Sequence, residues 1–316
     1  MSAIPDVSVV LPTYNRAAGL ERAVESVLHQ TADPHVYEVI VVDNNSTDGT
    51  GQVLDRLKAR YPGQLRTVVE RQQGVSHARN AGVAVALAPI LAFFDDDVRV
   101  APDWIETIIR VFRDNPDTEV VGGKVLPEWA TPPPGWLTPA HWSPLALQDF
   151  GGRPMLMSAR NPRGLISANL ACRKRVFDRI GGFSPVFQRV KDGIGSLEDD
   201  EWNRRLWNAG LSGLYWPNLV ASTDVPGDRL TRDYHRRWHS GHGRFYALLR
   251  APEMEETGVG SLWGVPAHLY RSSVEAFASW ASAILRGRTD DAFAHEVKLR
   301  FLRGFIGQRI AERFYS

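Results

Sequence analysis

The chain has 316 residues, of which 43% are hydrophobic and 23% charged, and its formal net charge is +1 at pH 7. This composition is typical of a folded soluble protein, and the near-zero charge argues against a nucleic-acid-binding protein. Because no apolar run reaches the ~20 residues of a spanning helix and the single Cys172 excludes an internal disulfide, we expect a cytoplasmic protein.

The first hundred residues alternate buried-strand patterns with amphipathic helix patterns. Strands are predicted at residues 7–11, 38–42 and 65–70 and in the apolar run that ends at Phe94. Helices are predicted at residues 20–29, through Val53 to Leu57, and at 76–86. Repeated β–α–β units predict a mainly parallel sheet with helices on both faces.

The remainder of the chain is less regular. A stretch rich in Pro and Trp covers residues 129–144 and interrupts the pattern. A helix is predicted at 201–209, and the region from 265 to 315 has helical spacing throughout. The glycine-rich motifs of dinucleotide-binding and P-loop proteins do not follow the first strand, so neither of these nucleotide-binding modes is expected.

Three consecutive aspartates, Asp95, Asp96 and Asp97, follow the fourth predicted strand. The carboxyl ends of parallel strands are where α/β sheets bind ligands. Adjacent carboxylates repel each other, which is unfavourable unless a positive charge lies close to them. A divalent cation that binds a phosphate-bearing substrate is a common source of that charge. The alternative is a solvated acidic turn, which the triplet by itself does not exclude.

Five segments in this order resemble the family 2 glycosyltransferases. They are residues 9–16 (VVLPTYNR), 41–50 (VVDNNSTDGT), 73–82 (QGVSHARNAG), 94–97 (FDDD) and 198–201 (EDDE). The resemblance extends over about residues 5–245. It implies an α/β protein of the GT-A fold, a nucleotide-diphosphate sugar donor with UDP as the default, a divalent cation, Mg²⁺ or Mn²⁺, and inversion at the anomeric carbon.

The same resemblance assigns roles on the donor side. It implies that Asp97 coordinates the metal and that the nucleotide sugar is bound by Pro12, Tyr14, Asn15, Arg16, Asp43, Arg79, Asp95 and Asp96. Within this set, Asp43 would accept a hydrogen bond from the base and Asp96 would contact the ribose. For Arg79, a salt bridge on a helix is an alternative of nearly equal weight.

On the acceptor side, the resemblance makes Asp199 the general base that deprotonates the acceptor hydroxyl. Asp200 is the competitor, and an acidic first turn that stabilises a helix dipole is the structural alternative. Contacts with acceptor or diphosphate are expected from Asn169, Glu198, Asp200, Arg237 and Trp238. His239 and His242 are further candidates for metal or phosphate ligands.

We therefore predict a GT-A domain over residues 1–250, with a nucleotide-sugar half at 1–125 and an acceptor half at 126–250, and a helical region at 251–316. That last region interleaves apolar residues with basic ones. The pattern fits a helix packed on its own domain. It also fits peripheral contact with an anionic membrane, and for that alternative Arg300, Arg303 and Arg309 are the residues expected to bind lipid.

The function predicted from the sequence is inverting transfer of a sugar to a saccharide or lipid-linked acceptor in surface polysaccharide assembly of the cell envelope. Two alternatives remain open. A nucleotidyltransferase also binds nucleotide and metal on an α/β sheet, although it has no use for the segment around Asp199. A catalytically silent sugar-binding scaffold would have no reason to keep both Asp97 and Asp199.

Overall fold

The computed structural model describes residues 4–188, 194–255 and 260–315. The chain divides into two compact units. The first unit contains Met1–Glu128, Ala146–Lys191 and Glu198–Val225, and the second contains Trp129–Leu145, Asp192–Leu197 and Pro226–Ser316. This division falls at residue 225, whereas the sequence predicted a boundary at 250, and it assigns the stretch rich in Pro and Trp to the second unit.

The first unit contains a sheet and six α-helices among its described residues. The strands are β1 Val7–Thr13, β2 Tyr37–Asp43, β3 Leu65–Val69, β4 Ile90–Phe93, β5 Val98–Val100, β6 Val120–Trp129, β7 Met155–Met157, β8 Leu170–Arg173 and β9 Gly213–Val225. The helices are α1 Leu20–Leu28, α2 Thr50–Arg60, α3 Val75–Val85, α4 Trp104–Asp114, α5 Arg175–Ile180 and α6 Glu198–Asn208.

The strand order is β3-β2-β1-β4-β8-β6-β9-β5, with β7 paired to β9. The four neighbouring strands β3, β2, β1 and β4 are parallel to one another. Every residue of β1 is buried, as expected for a central parallel strand. The pairings β4–β8, β6–β8, β5–β9 and β7–β9 are antiparallel. The sheet is therefore mixed, and the prediction of a mainly parallel sheet holds only for its first four strands.

An aromatic group in the core places the start of α6 beside the end of β4. Trp202 of α6 stacks on Phe183 with ring centroids 5.4 Å apart, and Phe183 meets Phe93 of β4 edge to face at 5.6 Å. All three side chains are almost completely buried. This packing brings the acidic first turn of α6 toward the carboxyl end of β4, where the aspartate triplet begins.

The second unit is helical, as predicted. Its helices are α7 Arg232–Leu249, α8 Ala267–Leu285 and α9 Thr289–Tyr315, and a short hairpin joins β10 Ser261–Leu262 to β11 Val265–Pro266. The core of this unit includes Leu269, Leu302 and Phe305. No helix in the described parts of the chain has both the length and the apolar content needed to cross a membrane.

The lipid contact predicted for Arg309 of α9 does not agree with the structure. Arg309 is 2% exposed and forms an ion pair with Glu255, so it cannot contact lipid. Arg300 is paired with Glu296 at 3.1 Å. The contacts predicted for Arg300 and Arg303 stay predictions.

Helices α7 and α9 pack with their backbones in direct contact. A Cβ atom on Gly304 of α9 would overlap the carbonyl oxygen of Ser240, and one on Gly243 of α7 would overlap the carbonyl oxygen of Phe301. Backbone atoms cannot move aside as a flexible side chain can. The two glycines therefore set the distance between the helices.

We expect Gly304→Ala to lower the free energy of unfolding of the second unit by about 1–3 kcal/mol, because the added methyl group forces the helices apart. Gly307→Ala is the matched control, since a Cβ at Gly307 in the same helix meets nothing within 4 Å. Alanine there should be neutral or stabilising by up to ~1 kcal/mol. Thermal unfolding measured by circular dichroism compares the two variants, and equal midpoints would contradict this account of the packing.

Candidate active site

The loops that follow β1 and β2 are hydrogen-bonded to each other. Asn15 adopts a left-handed backbone conformation with φ 49°, and its Oδ1 accepts a hydrogen bond of 2.8 Å from the backbone N–H of Thr47. The backbone N–H of Asn15 donates to Oγ of Ser46, and the N–H of Ser46 donates to Oδ1 of Asp43. Two residues predicted to bind the nucleotide, Asn15 and Asp43, thus shape the same loop pair.

A buried asparagine fixes the next two loops. Nδ2 of Asn44 donates to the carbonyl oxygens of Glu70 and Gln72 at 3.1 and 2.7 Å. Its Oδ1 accepts from the backbone N–H of Gly74 at 2.6 Å. Asn44 joins the loop after β2 to the loop after β3 and to the start of α3. No role was predicted for Asn44, although a polar residue directly after a buried strand was an available signal.

The end of β1 contacts the aspartate triplet. Oγ1 of Thr13 donates to Asp96 at 2.7 Å, and the guanidinium of Arg16 lies 3.5 Å from Asp96 and 3.1 Å from Asp97. Burial and the neighbouring charge of Asp97 raise the pKa of Asp96 to about 7, against the opposing effects of Arg16 and Thr13. Negative charge is therefore in excess at this edge of the sheet.

This excess of charge fits a divalent cation. Asp96 and Asp97 offer hard oxygen ligands, and both lie beside the guanidinium of Arg16. Within the described ranges, no group of three or more His, Cys, Asp or Glu side chains is arranged to hold a metal by itself. Mg²⁺ and similar ions commonly bind through one or two carboxylates and complete their coordination with substrate phosphates and water. The donor set agrees with that kind of site.

Arg79 connects the triplet to α6. It is 2% exposed, and its guanidinium lies 2.8 Å from Asp95 and 3.3 Å from Glu198. Burial opposes its charge, but Asp95, Asp199 and Glu198 outweigh that effect and raise its pKa further above the ordinary arginine value. The geometry supports the salt-bridge alternative for Arg79, and the predicted contact with the nucleotide stays a prediction.

Asp199 is the second residue of α6, and its two carboxylate oxygens have different surroundings. Its Oδ2 accepts a hydrogen bond of 3.0 Å from the backbone N–H of Ser167. Its Oδ1 is buried and has no hydrogen-bond partner among the described residues. Burial, followed by repulsion from Glu198, raises the pKa of Asp199 to about 7, while Arg79 opposes the rise. A carboxylate in this state can take up a proton near neutral pH.

Three other predicted residues in the first unit have simpler surroundings. Pro12 is buried in β1, in register with Val42 of β2. Tyr14 is 37% exposed in the loop that follows β1. Asp200 follows Asp199 in the acidic first turn of α6, where negative side chains stabilise the helix dipole.

The acceptor contact predicted for Asn169 does not agree with its surroundings. Asn169 is 0% exposed. Its Oδ1 accepts from the indole N–H of Trp104, and its Nδ2 donates to the carbonyl oxygens of Lys124 and Leu219. Because its amide is fully used inside the protein, Asn169 ties α4 to the sheet and has no polar atom left for an acceptor.

The four predicted residues that lie beyond the first unit are all on α7. Arg237 is exposed and lies 3.2 Å from Asp233. The ring of Trp238 stacks on His242 at 4.2 Å, and burial lowers the pKa of both His239 and His242 to about 4, so both rings are neutral at pH 7. Their predicted roles toward metal, diphosphate or acceptor stay predictions.

Comparison with known proteins identifies relatives of one class. The sequence model of glycosyl transferase family 2 matches residues 8–181. Glucosyl-dolichyl phosphate glucuronosyltransferase of Haloferax volcanii is 32% identical over 59% of this chain and 58% of its own length. Glycosyltransferase AglE of the same organism is 30% identical over 69% of this chain and 67% of its own length. The chain thus spans less than two thirds of the first of these relatives.

Solved structures agree in fold. The mannosyltransferase PcManGT from Pyrobaculum calidifontis, in complex with GDP-Man and Mn²⁺, superposes with a TM-score of 0.65 at 19% identity, over 98% of this chain and 88% of the other. TarS residues 1–349 of S. aureus, in complex with UDP, superposes with a TM-score of 0.56 at 14% identity, over 96% and 91%. The predicted GT-A fold is confirmed.

Proposed function

The chain belongs to glycosyl transferase family 2, and we propose that it is a metal-dependent, inverting enzyme that moves a sugar from a nucleotide-diphosphate donor to a lipid-linked or saccharide acceptor. One observation carries this proposal. Asp199 keeps a buried carboxylate oxygen without a partner among the described residues, and Arg79 joins its neighbour Glu198 to the segment that bears Asp96 and Asp97. A potential base and a potential metal site thus adjoin the two ends of one ion-pair network, at Glu198 and at Asp95.

The donor would bind at the carboxyl ends of β1, β2 and β4. Asp97 would hold Mg²⁺ or Mn²⁺, and such an ion would supply Lewis-acid neutralisation of the charge that develops on the departing diphosphate. Asp96 meets the same Arg16 as Asp97, so we extend its predicted contact with the ribose to a share in the metal site. Thr13 and Arg16 fix the orientation of the two carboxylates. The structural neighbours PcManGT and TarS are in complex with GDP-Man and UDP, respectively. These complexes support a nucleoside diphosphate sugar as donor, and both guanine and uracil nucleotides are candidates.

Asp199 would perform the proton transfer. Its Oδ1 takes the proton of the acceptor hydroxyl while that oxygen bonds to the anomeric carbon. The bond from the anomeric carbon to the diphosphate breaks on the opposite side, and the nucleoside diphosphate leaves with the electron pair. The hydrogen bond from Ser167 to Oδ2 keeps the carboxylate in a fixed orientation, and a pKa near the working pH suits a general base.

A lipid-linked acceptor is the more specific form of the proposal. The name of one relative, glucosyl-dolichyl phosphate glucuronosyltransferase, describes transfer to a lipid-phosphate sugar. Such an acceptor stays in a bilayer, so an enzyme acting on it would work at the cytoplasmic membrane surface in cell-envelope assembly. For this chain we propose peripheral contact with that surface.

The direct test is a donor panel of UDP-, GDP- and dTDP-sugars with Mg²⁺ or Mn²⁺, and with dolichyl-phosphate sugars or free saccharides as acceptors. We expect one nucleotide class to be consumed in the presence of metal, and NMR of the product to show an inverted anomeric configuration. Retained configuration would contradict the proposed mechanism. If no donor is consumed with any acceptor, the silent-scaffold alternative is favoured.

A further inference from the structure

The segment that precedes β8 is fastened to the first turn of α6. Asn203 of α6 is buried, and its Oδ1 accepts a hydrogen bond of 3.3 Å from the backbone N–H of Leu165. Its Nδ2 donates to the carbonyl oxygens of Leu165 and Asp199 at 2.8 and 2.7 Å. These three bonds fix Ser167, which follows Leu165 by two residues, beside the side chain of Asp199.

The hydroxyl of Ser167 has no use in the fold of the described residues. Ser167 is 1% exposed, and its backbone N–H donates to Oδ2 of Asp199 at 3.0 Å. Its Oγ is buried and makes no hydrogen bond within the part of the chain that the structure describes. A buried hydroxyl without a partner is unfavourable, and such a group in a folded protein calls for an explanation.

The group that this hydroxyl faces is the Asp199 carboxylate. Burial raises the pKa of Asp199, and the hydroxyl of Ser167, like its backbone N–H, opposes that rise. Oδ1 of Asp199 is buried and also lacks a hydrogen-bond partner among the described residues. A carboxylate oxygen has two lone pairs, so Oδ1 can accept one hydrogen bond from Ser167 and another from an acceptor hydroxyl at the same time.

The ionisable groups around Asp199 come from three elements. They are Glu198 and Asp200 of α6, Arg79 of α3, and Asp95 after β4, which is joined to Arg79. After the larger effect of burial, Arg79 lowers the pKa of Asp199 and Glu198 raises it. The segment 164–169 adds no ionisable side chain. What it offers the carboxylate is the backbone N–H and the hydroxyl of Ser167.

We propose that Ser167 is a positioning residue for the base: its hydroxyl donates a hydrogen bond to the ionised carboxylate of Asp199 and extends the pH range in which Asp199 can accept a proton. A hydrogen bond to the charged form of an acid stabilises that form relative to the neutral one. With the backbone N–H on Oδ2 and the hydroxyl on Oδ1, the carboxylate is oriented before an acceptor binds. The catalytic meaning of this contact rests on the proposed function.

The test is titration of the carboxyl carbon of Asp199 by ¹³C NMR in metal-free protein, with the resonance assigned by its loss in Asp199→Asn. The wild-type midpoint is expected at about 7. In Ser167→Ala it should lie about one pH unit higher, because the ionised form has lost a donor. Ser167→Cys, which keeps only a weak donor, should give a smaller rise.

The matched control is Ser212→Ala in the same unit. It also removes a serine hydroxyl, but one that donates to the carbonyl oxygen of Asp117. Its Asp199 resonance should titrate as in wild type.

Kinetics at saturating Mn²⁺ give a second readout. The kcat/KM of Ser167→Ala should be about tenfold below wild type at pH 6 and within about twofold of it at pH 9, because the higher midpoint matters only at lower pH. In the Asp199→Asn background, Ser167→Ala should leave the rate unchanged, since the hydroxyl acts through Asp199. A purely structural role of Ser167 would lower the rate at both pH values and in both backgrounds.

An unchanged or lower midpoint in Ser167→Ala would overturn the proposal, and so would an equal fall in rate at both pH values. The titration needs neither donor nor acceptor, so it is separable from the proposed function. Turnover with an unshifted midpoint would overturn this proposal alone. A shifted midpoint in a protein that consumes no donor would overturn the proposed function and leave the hydrogen bond from Ser167 to Asp199 standing.

Discussion

Asp199→Asn is expected to lower kcat about 10²–10⁴-fold while leaving donor binding nearly unchanged. Asparagine keeps the side-chain shape and an oxygen that can accept the hydrogen bond from Ser167, but it cannot take a proton. The loss should therefore appear in the chemical step. Single-turnover kinetics with saturating donor separates that step from binding.

The same residue predicts a pH dependence. Because the pKa of Asp199 is raised to about 7, the fraction of Asp199 in the ionised carboxylate form decreases as the pH falls below that value. The rate constant kcat/KM of the wild type should fall about tenfold for each pH unit below 7 and level off above it. At saturating Mn²⁺, where a bound cation would keep Asp96 ionised, the residual activity of Asp199→Asn should lack this limb.

Asp200→Asn is the matched control, since the neighbouring carboxylate in the same helical turn was the competing candidate. We expect at most a few-fold loss from it, together with an unchanged acidic limb. A larger loss in Asp200→Asn than in Asp199→Asn would reverse the assignment of the base. Circular dichroism of both variants establishes that each is folded.

Asp97→Asn should lower kcat/KM about 10³-fold, which corresponds to roughly 4 kcal/mol of lost stabilisation of the departing diphosphate. Removing one of two carboxylate ligands also weakens metal binding. The concentration of Mn²⁺ that gives half-maximal activity should therefore rise, and high Mn²⁺ should restore part of the rate. Activity measured against Mn²⁺ concentration tests both expectations.

An exposed carboxylate of the first unit serves as the control for that experiment. Asp103→Asn, before the first residue of α4, changes the net charge equally and should leave the Mn²⁺ dependence unchanged. A metal dependence that is the same in wild type and Asp97→Asn would contradict the placement of the cation at the triplet. In that case His239 or His242 of α7 would need testing as ligands.

The sequence predicted the first half of the fold because its signals are local. Four strand patterns separated by amphipathic helices predict parallel pairing, because the chain between consecutive strands is long enough for a helical crossover. Among the described residues, no α-helix lies between β6 and β8, and the helices between β8 and β9 do not join neighbouring strands, because β6 lies between those two in the sheet. Apolar spacing does not state strand direction, so the antiparallel half was missed. Helix α6 begins at Glu198 rather than at the predicted 201, because its first turn is acidic and has no apolar periodicity to detect.

Candidate site residues were predicted where a residue type was unusual, and they were missed where a contact joins positions distant in the chain. A triplet of aspartates after a strand and an acidic helix start are visible in the chain itself. Thr13 meets Asp96 across 83 positions, and Ser167 meets Asp199 across 32. Neither Thr13 nor Ser167 is an unusual residue type at its position in the sequence. Asn169 and Arg309 show the opposite error, since polar side chains expected at the surface are used within the fold.

The measurement that tests the central claim most directly is calorimetric titration of UDP and GDP, with and without Mn²⁺, into wild type, Asp97→Asn and Asp199→Asn. We predict that one nucleoside diphosphate binds the wild type in a metal-dependent manner, that Asp97→Asn loses this dependence, and that Asp199→Asn retains it. Absence of binding by either nucleotide, or binding to wild type that is indifferent to Mn²⁺, would contradict a metal-dependent donor site at the aspartate triplet.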